Sequence, residues 1–272
     1  GAVGGFVGGL LRNAGHEVTF IARGAHLEAM QENGLTVNQD HQSVKVSANF
    51  TNDLAQVKDA DLLLFTVKAT ETEEVAEQIK AFVHKDAYIL TLQNGVNNEE
   101  LLSAHFGEER VLSGASYISA KVEKPGVIKQ QGAFVFFVGH LNEASEKEAA
   151  EITTHFNEAG IRAAHSPNIM QKKWEKTLWN VTFNPLSSVT KSTVGQILDD
   201  PQLTHTAETV LSEIITICRG AGFTVTEEAE KQVFSDAALV RSHKTSMLQD
   251  LERGKPMEVE ALCGYYVKKA KS

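Results

Sequence analysis

Cysteine is nearly absent: two residues in 272, Cys218 and Cys263, each inside an apolar, helix-like pattern. That argues against a disulfide framework and against a cysteine metal site, and suits small buried hydrophobes in a cytoplasmic protein. No apolar run approaches the roughly 18 residues of a membrane helix, and no signal-peptide pattern is visible. Basic clusters are missing as well. Lys and Arg number 26 against 35 Asp and Glu, a net charge of −9, so the basic face that nucleic acid demands is not expected. The ten histidines contain no H-x-x-x-H pair in a credible helix, so no metal is expected. No G-x-S-x-G elbow occurs, and a hydrolase reading has nothing to rest on. Repeats and low-complexity segments are also lacking. What remains, 42% hydrophobic and 22% charged, is a globular composition long enough for one large or two ordinary domains.

The positive signals begin at residue 1. Gly1-Ala2-Val3-Gly4 opens onto an apolar helix bearing Phe6, Val7, Leu10 and Leu11, followed by a strand that ends at Arg23. This is the second half of a G-x-G-x-x-G fingerprint, whose first glycine and first strand are expected upstream of the sequence. Small residues let backbone approach a pyrophosphate, and the helix N-terminus offers N–H donors to the anion. Glycines alone also fit a disordered tag; the helix, the strand spacing and Arg23 favour the nucleotide reading. A site for NAD usually carries an acid at the end of that strand, to hold the ribose 2′-OH. A guanidinium suits a 2′-phosphate instead, so the cofactor expected is NADPH.

Residues 1–165 alternate short strands with helices: a strand to Arg23, a helix around 26–32 stopped by Gly34, and an edge pair at 35–37 and 43–46. Asp61–Lys68 reads as a strand buried on both faces, 73–83 as a helix, and Tyr88–Leu92 as a second buried strand. Two or three strands follow over 111–138, turning at Pro125-Gly126. This order implies an α/β, Rossmann-like, doubly wound sheet as a nucleotide-binding domain. Residues 166–272 carry helical periodicity at 168–189, 201–221, 227–239 and 258–271, an all-α domain for substrate and catalysis. An active cleft is expected where the two domains meet.

Within the segment Trp174–Leu186, Lys176, Asn180 and Asn184 recur at i, i+4 and i+8, on one helix face. That face is either a solvated stripe or a polar seam; two flanking tryptophans favour the seam. An ammonium there can give a proton to a carbonyl oxygen as hydride reaches the carbon, with amides holding hydroxyl and carboxylate groups. His243, Ser246 and Glu258 form a second cluster. Ser246 either hydrogen-bonds a substrate carboxylate or starts a helix; Glu258 either holds Lys176 protonated or stabilises a helix start. Lys68 and Asn94 end two parallel strands, where open α/β sheets bind ligands. Each reads alternatively as a solvated lysine and a turn asparagine.

Taken together, Gly1-x-x-Gly4, Arg23, Thr66-Val67-Lys68, Leu92-Gln93-Asn94-Gly95, the Trp174-x-Lys176-x3-Asn180-x3-Asn184-Pro185-Leu186 helix, and Thr245–Asp250 followed by Glu258 resemble the 2-dehydropantoate 2-reductase (ketopantoate reductase) family. The resemblance covers essentially the whole chain. It implies Lys176 as general acid, with Glu258 on the nicotinamide-ribose side. Asn180, Ser246, Asn184 and His243 would face the substrate, and Asn94 would lie between cofactor and substrate. Gly1, Ala2, Val3, Gly4 and the Ala120 backbone would contact the cofactor, with Arg23 and Lys68 at its 2′-phosphate. The reaction implied is hydride transfer from NADPH to the C2 ketone of ketopantoate, giving (R)-pantoate for pantothenate and coenzyme A. His243 stands where some relatives use asparagine, and Val194 falls near another such position.

Two other readings stay open: a 2-hydroxy acid dehydrogenase of the mandelate type, against which Arg23 argues, and a non-catalytic NADP-binding sensor that would not need Lys176. The partner expected is a small 2-keto acid, without nucleic acid or membrane, and homodimerisation is left open.

Overall fold

In the computed structural model, which describes residues 1–271, the N-terminal glycines form helix α1 (Ala2–Asn13) with Gly1 as its cap. Phe6 and Val7 are fully buried, and the glycines give the opposite requirement, closeness. A Cβ on Gly8 would lie 2.7 Å from the Phe20 ring, one on Gly9 2.7 Å from Val37, and one on Gly4 against the Thr66 hydroxyl. Glycine here lets the helix backbone settle directly onto strands.

Those strands are short. β1 (Thr19–Ile21) leads into α2 (Gly24–Asn33), which ends at Gly34 with φ at 76°. β2 (Leu35–Asn38) and β3 (Ser43–Val46) form the expected edge pair, which is antiparallel, and β4 (Asn49–Thr51) pairs in parallel with β1 as a separate two-stranded sheet. β5 (Leu62–Phe65), α3 (Thr72–Ile79), β6 (Tyr88–Thr91) and α4 (Asn98–Phe106) supply the parallel half of the main sheet. β7 (Val111–Lys124) and β8 (Val127–His140) are one long hairpin closed by Pro125-Gly126, with Gly126 at φ 75°. After α5 (Glu146–Glu158), β9 (Ala163–His165) joins β8. The strand order of the larger sheet is β3-β2-β8-β7-β6-β5. The sheet is thus mixed, because a hairpin occupies its centre.

β5 is packed on both faces but unevenly: Leu63 and Phe65 are buried with Ala76, Ile79, Leu102 and Phe106, while Leu62 and Leu64 pack against the core of Phe6 and Val7 and are half-buried. In β6, Ile89, Leu90 and Thr91 are fully buried and Tyr88 half-buried.

The rest of the chain is helical: α6 (Ile169–Thr190), α7 (Val194–Asp199), α8 (Pro201–Gly220), α9 (Glu227–Leu239), α10 (Ser246–Glu252) and α11 (Tyr265–Lys269). Caps set these boundaries, with Asp200 accepting from Gln202 and Leu203 and Thr226 from Ala229. Where one continuous final helix was expected, Glu260–Gly264 forms a π-helical turn ahead of α11. A π turn adds a residue to the spiral, which rotates the following face so that Tyr266 is buried along with Ala261 and Leu262. No helix among the described residues is long and apolar enough to cross a membrane. The chain divides into two compact units: Gly1–Gln93 with Asn98–Ile169, and Asn94–Asn97 with the chain from Met170 onward. Cys218 sits fully buried in the helical core, where burial pushes its thiol up to about 12. Cys263 is only half-buried.

Candidate active site

In the sheet unit, the first-turn N–H groups of Ala2, Val3 and Gly4 precede the reach of the i−4 ladder of α1, a geometry that suits an anion. Arg23 caps α2 in an extended conformation, with its side chain 77% exposed. Its guanidinium donates to both carboxylate oxygens of Glu71 at 2.5 Å, a pairing that the sequence reading did not contain. Lys68 begins the short turn Ala69–Glu71 that carries this acid. Ala120 lies half-buried in β7, opposite Gln130, between two register shifts of the hairpin.

The helical unit gathers the rest around α6. Its register is fixed by Trp174, which stacks on Phe223 at 4.8 Å and meets the Tyr266 ring edge-on at 5.6 Å. With that face packed, a buried polar stripe follows along the helix: Lys173, Thr177, Asn180 and Asn184 are each less than 9% exposed. Thr177 bonds both the Lys173 carbonyl and the Tyr266 hydroxyl, at 3.0 and 2.9 Å. Lys176 borders the stripe, partly buried, and its ammonium donates to Asn94 Oδ1 at 3.0 Å. Burial above all, and then the Lys173 charge, pull the Lys176 ammonium down, the Glu258 carboxylate acts against both, and the balance lies at about 7. Glu258 is itself only 7% exposed.

Lys176, Asn94 and Glu258, spread over 165 residues, thus share one environment. Ser246 is the exposed first residue of α10, behind its cap Thr245. His243 is half-buried; its carbonyl accepts from Val194 N–H, and burial lowers the affinity of its imidazole for a proton. No hydrogen bond recorded in the structure joins either side chain to Lys176.

Sequence reasoning missed Lys173, the like charge that tunes Lys176. The signal was its place three residues earlier on the same face, hidden by the adjacent Lys172, which pairs outward with Glu175 at 2.9 Å. Gly95 follows Asn94 at φ 84°, and a Cβ there would lie 3.2 Å from the Ala261 carbonyl oxygen. Gly95→Ala is expected to cost about 1–3 kcal/mol from the left-handed backbone and this contact, read as a lower denaturant midpoint at constant m-value.

The family model for ketopantoate reductase PanE/ApbA matches residues 1–143, and that for the PanE/ApbA C-terminal domain matches 168–272. The chain belongs to the PanE/ApbA ketopantoate reductase family. A 2-dehydropantoate 2-reductase from Pyrococcus horikoshii is 31% identical over the whole chain and 88% of its own length. The crystal structure of a PanE/ApbA family ketopantoate reductase from Ralstonia eutropha superposes with a TM-score of 0.93 at 29% identity, covering all of this chain and 89% of that one. A D-mandelate dehydrogenase, solved with NADH and anilino(oxo)acetate, matches over 100% of this chain and 89% of its own with a TM-score of 0.91 at 24% identity, a likeness of fold alone. As a member of the ketopantoate reductase family, the chain is an oxidoreductase.

Proposed function

We propose that this chain reduces 2-dehydropantoate to (R)-pantoate with NADPH, residues 1–165 binding the nucleotide and 166–272 the keto acid. The observation that carries the reading is a partly buried lysine, bonded to an asparagine and faced by a buried carboxylate, whose proton affinity is poised near neutrality. Relatives named 2-dehydropantoate 2-reductase support the choice of substrate.

The glycine cradle fits a dinucleotide, since side chains at Gly4, Gly8 or Gly9 would push α1 off its strands and close the approach to its first turn. The reduced nicotinamide supplies a hydride when bound. The protein's share is to hold the ketone and neutralise the oxygen. As hydride adds to C2, the C–O π pair becomes an alkoxide, and Lys176 Nζ gives it a proton, leaving a neutral amine that solvent recharges. Asn94 aims the ammonium through its amide oxygen, and Glu258 favours its charged form. Asn180 and Asn184 supply amides for the hydroxyl and carboxylate of the substrate, with Ser246 and His243 at its far side.

The Arg23–Glu71 pair favours a second reading. An acid at the ribose end suits a free 2′-OH and hence NADH, as in a mandelate-type dehydrogenase. A steady-state screen of 2-keto acids with both cofactors tests the two. Ketopantoate with NADPH is expected to give the highest kcat/KM; a bulky aromatic keto acid preferring NADH would replace the reading. Arg23→Ala is expected to erode the NADPH-over-NADH ratio about 10–100-fold, the worth of a charge-assisted hydrogen bond. An unchanged ratio would remove Arg23 from the phosphate site.

A further inference from the structure

Asn94–Asn97 are the last four of the six residues between β6 and α4, and carry the amide that meets Lys176. Their flanks converge on one atom. On one side, Gln93 Nε2 donates to Thr72 Oγ1 at 2.8 Å; on the other, the Thr72 hydroxyl donates to Asn98 Oδ1, also at 2.8 Å. Thr72 opens α3 and is fully buried, as are both of its side-chain hydrogen bonds. Gln93 Nε2 also donates to the Val67 carbonyl at 2.9 Å, and Gln93 Oε1 accepts from the Thr91 hydroxyl at 2.9 Å. The Gln93 amide therefore has its orientation set, which leaves the Thr72 hydroxyl a defined role as acceptor from one flank and donor to the other.

We propose that Thr72 is a positioning residue for the reduction: its hydroxyl clamps both ends of Asn94–Asn97 and so holds the Asn94 amide against Lys176. It touches neither substrate nor cofactor, and acts only through Asn94. The inference rests on the proposed role of Asn94 and Lys176. A hydroxyl is suited to the task because it donates and accepts at once, where a valine of the same shape does neither. With the clamp gone, the loop samples positions in which Asn94 Oδ1 no longer meets the ammonium, and orientation of that order is worth about tenfold in rate or more.

The test is a double-mutant cycle on the full chain, with Thr72→Val, Thr72→Ser, Asn94→Ala and the Val/Ala pair, assayed with ketopantoate and NADPH well below each variant's melting temperature. Thr72→Val should lower kcat about tenfold, with KM for NADPH within about twofold, and move the alkaline limb of the pH profile to lower pH. Thr72→Ser, which keeps both hydrogen bonds, should restore kcat to within about twofold of the parent. In the Asn94→Ala background, Thr72→Val should add less than about twofold, because the two act in series. Should Thr72→Val fail to fold, Asn98→Ala cuts the far tie alone, with an expected loss of about threefold and the same lack of additivity.

A parent-like kcat in Thr72→Val overturns the proposal, as does a tenfold loss that persists undiminished in the Asn94→Ala background. A parent-like Asn94→Ala enzyme overturns it too, and along with it the role given to Asn94. An impaired Asn94→Ala beside a parent-like Thr72→Val leaves the functional reading standing and removes Thr72 alone.

Discussion

Lys176→Ala should lower kcat for ketopantoate reduction about 10²–10⁴-fold, with the NADPH dissociation constant little changed. The split matters because Lys176 faces Asn94 and Glu258, and belongs to the helical unit rather than to the glycine cradle. A structural lysine removed from a buried polar stripe would shift stability; a proton donor removed from a reacting oxygen leaves binding intact and slows the chemistry. Titrating NADPH by fluorescence alongside initial rates separates the two. Turnover within a few-fold of the parent would end the assignment, and would bring back the sensor reading that has no need of an ammonium.

Glu258→Gln should have the next largest effect, and its sign follows from the charges. Burial and Lys173 both pull the Lys176 ammonium down, and Glu258 opposes them. Neutralising that carboxylate removes a raising influence while the two lowering ones stay, so Lys176 loses its proton at a pH below about 7. Reduction needs the protonated form. The alkaline fall in kcat/KM must therefore move to lower pH, and at about pH 7.5 the rate should drop about tenfold for each unit of displacement. Activity should recover on acidification toward about pH 6. Lys173→Met removes a positive neighbour and must move the same limb the other way. Profiles that shift in one direction for both variants would contradict the electrostatic account.

The alternation of strand and helix was legible because buried strands and amphipathic helices leave periods that a local window can read. Helix α9 spans the predicted 227–239 without adjustment, since Thr226 caps it and three acids fill its first turn. Pro201 behind Asp200 marked the start of α8 in the same way. The short helices α7 and α10, of six and seven residues, gave no period to find, although Thr193 and Thr245 were capping signals in plain view. The shared face of Lys176, Asn180 and Asn184 followed from helical spacing alone. What spacing cannot show is which distant group meets it. Asn94 lies 82 residues from Lys176 in sequence, and Glu71 lies 48 from Arg23. Those pairings are set by where β6 and the Ala69–Glu71 turn end, a tertiary outcome with no local signature. The buried Lys173 was illegible for another reason: adjacent lysines read as solvated, whereas one of this pair turns inward.

The most direct measurement is the pH dependence of kcat/KM for ketopantoate reduction in the parent and in Lys176→Ala, from about pH 5.5 to 9, since this ratio reports groups of the free enzyme. A single-proton fall centred near 7 in the parent, absent from the residual activity of Lys176→Ala, is the expected result. A parent profile flat across that range, or the same fall in both enzymes, would mean that some other group delivers the proton.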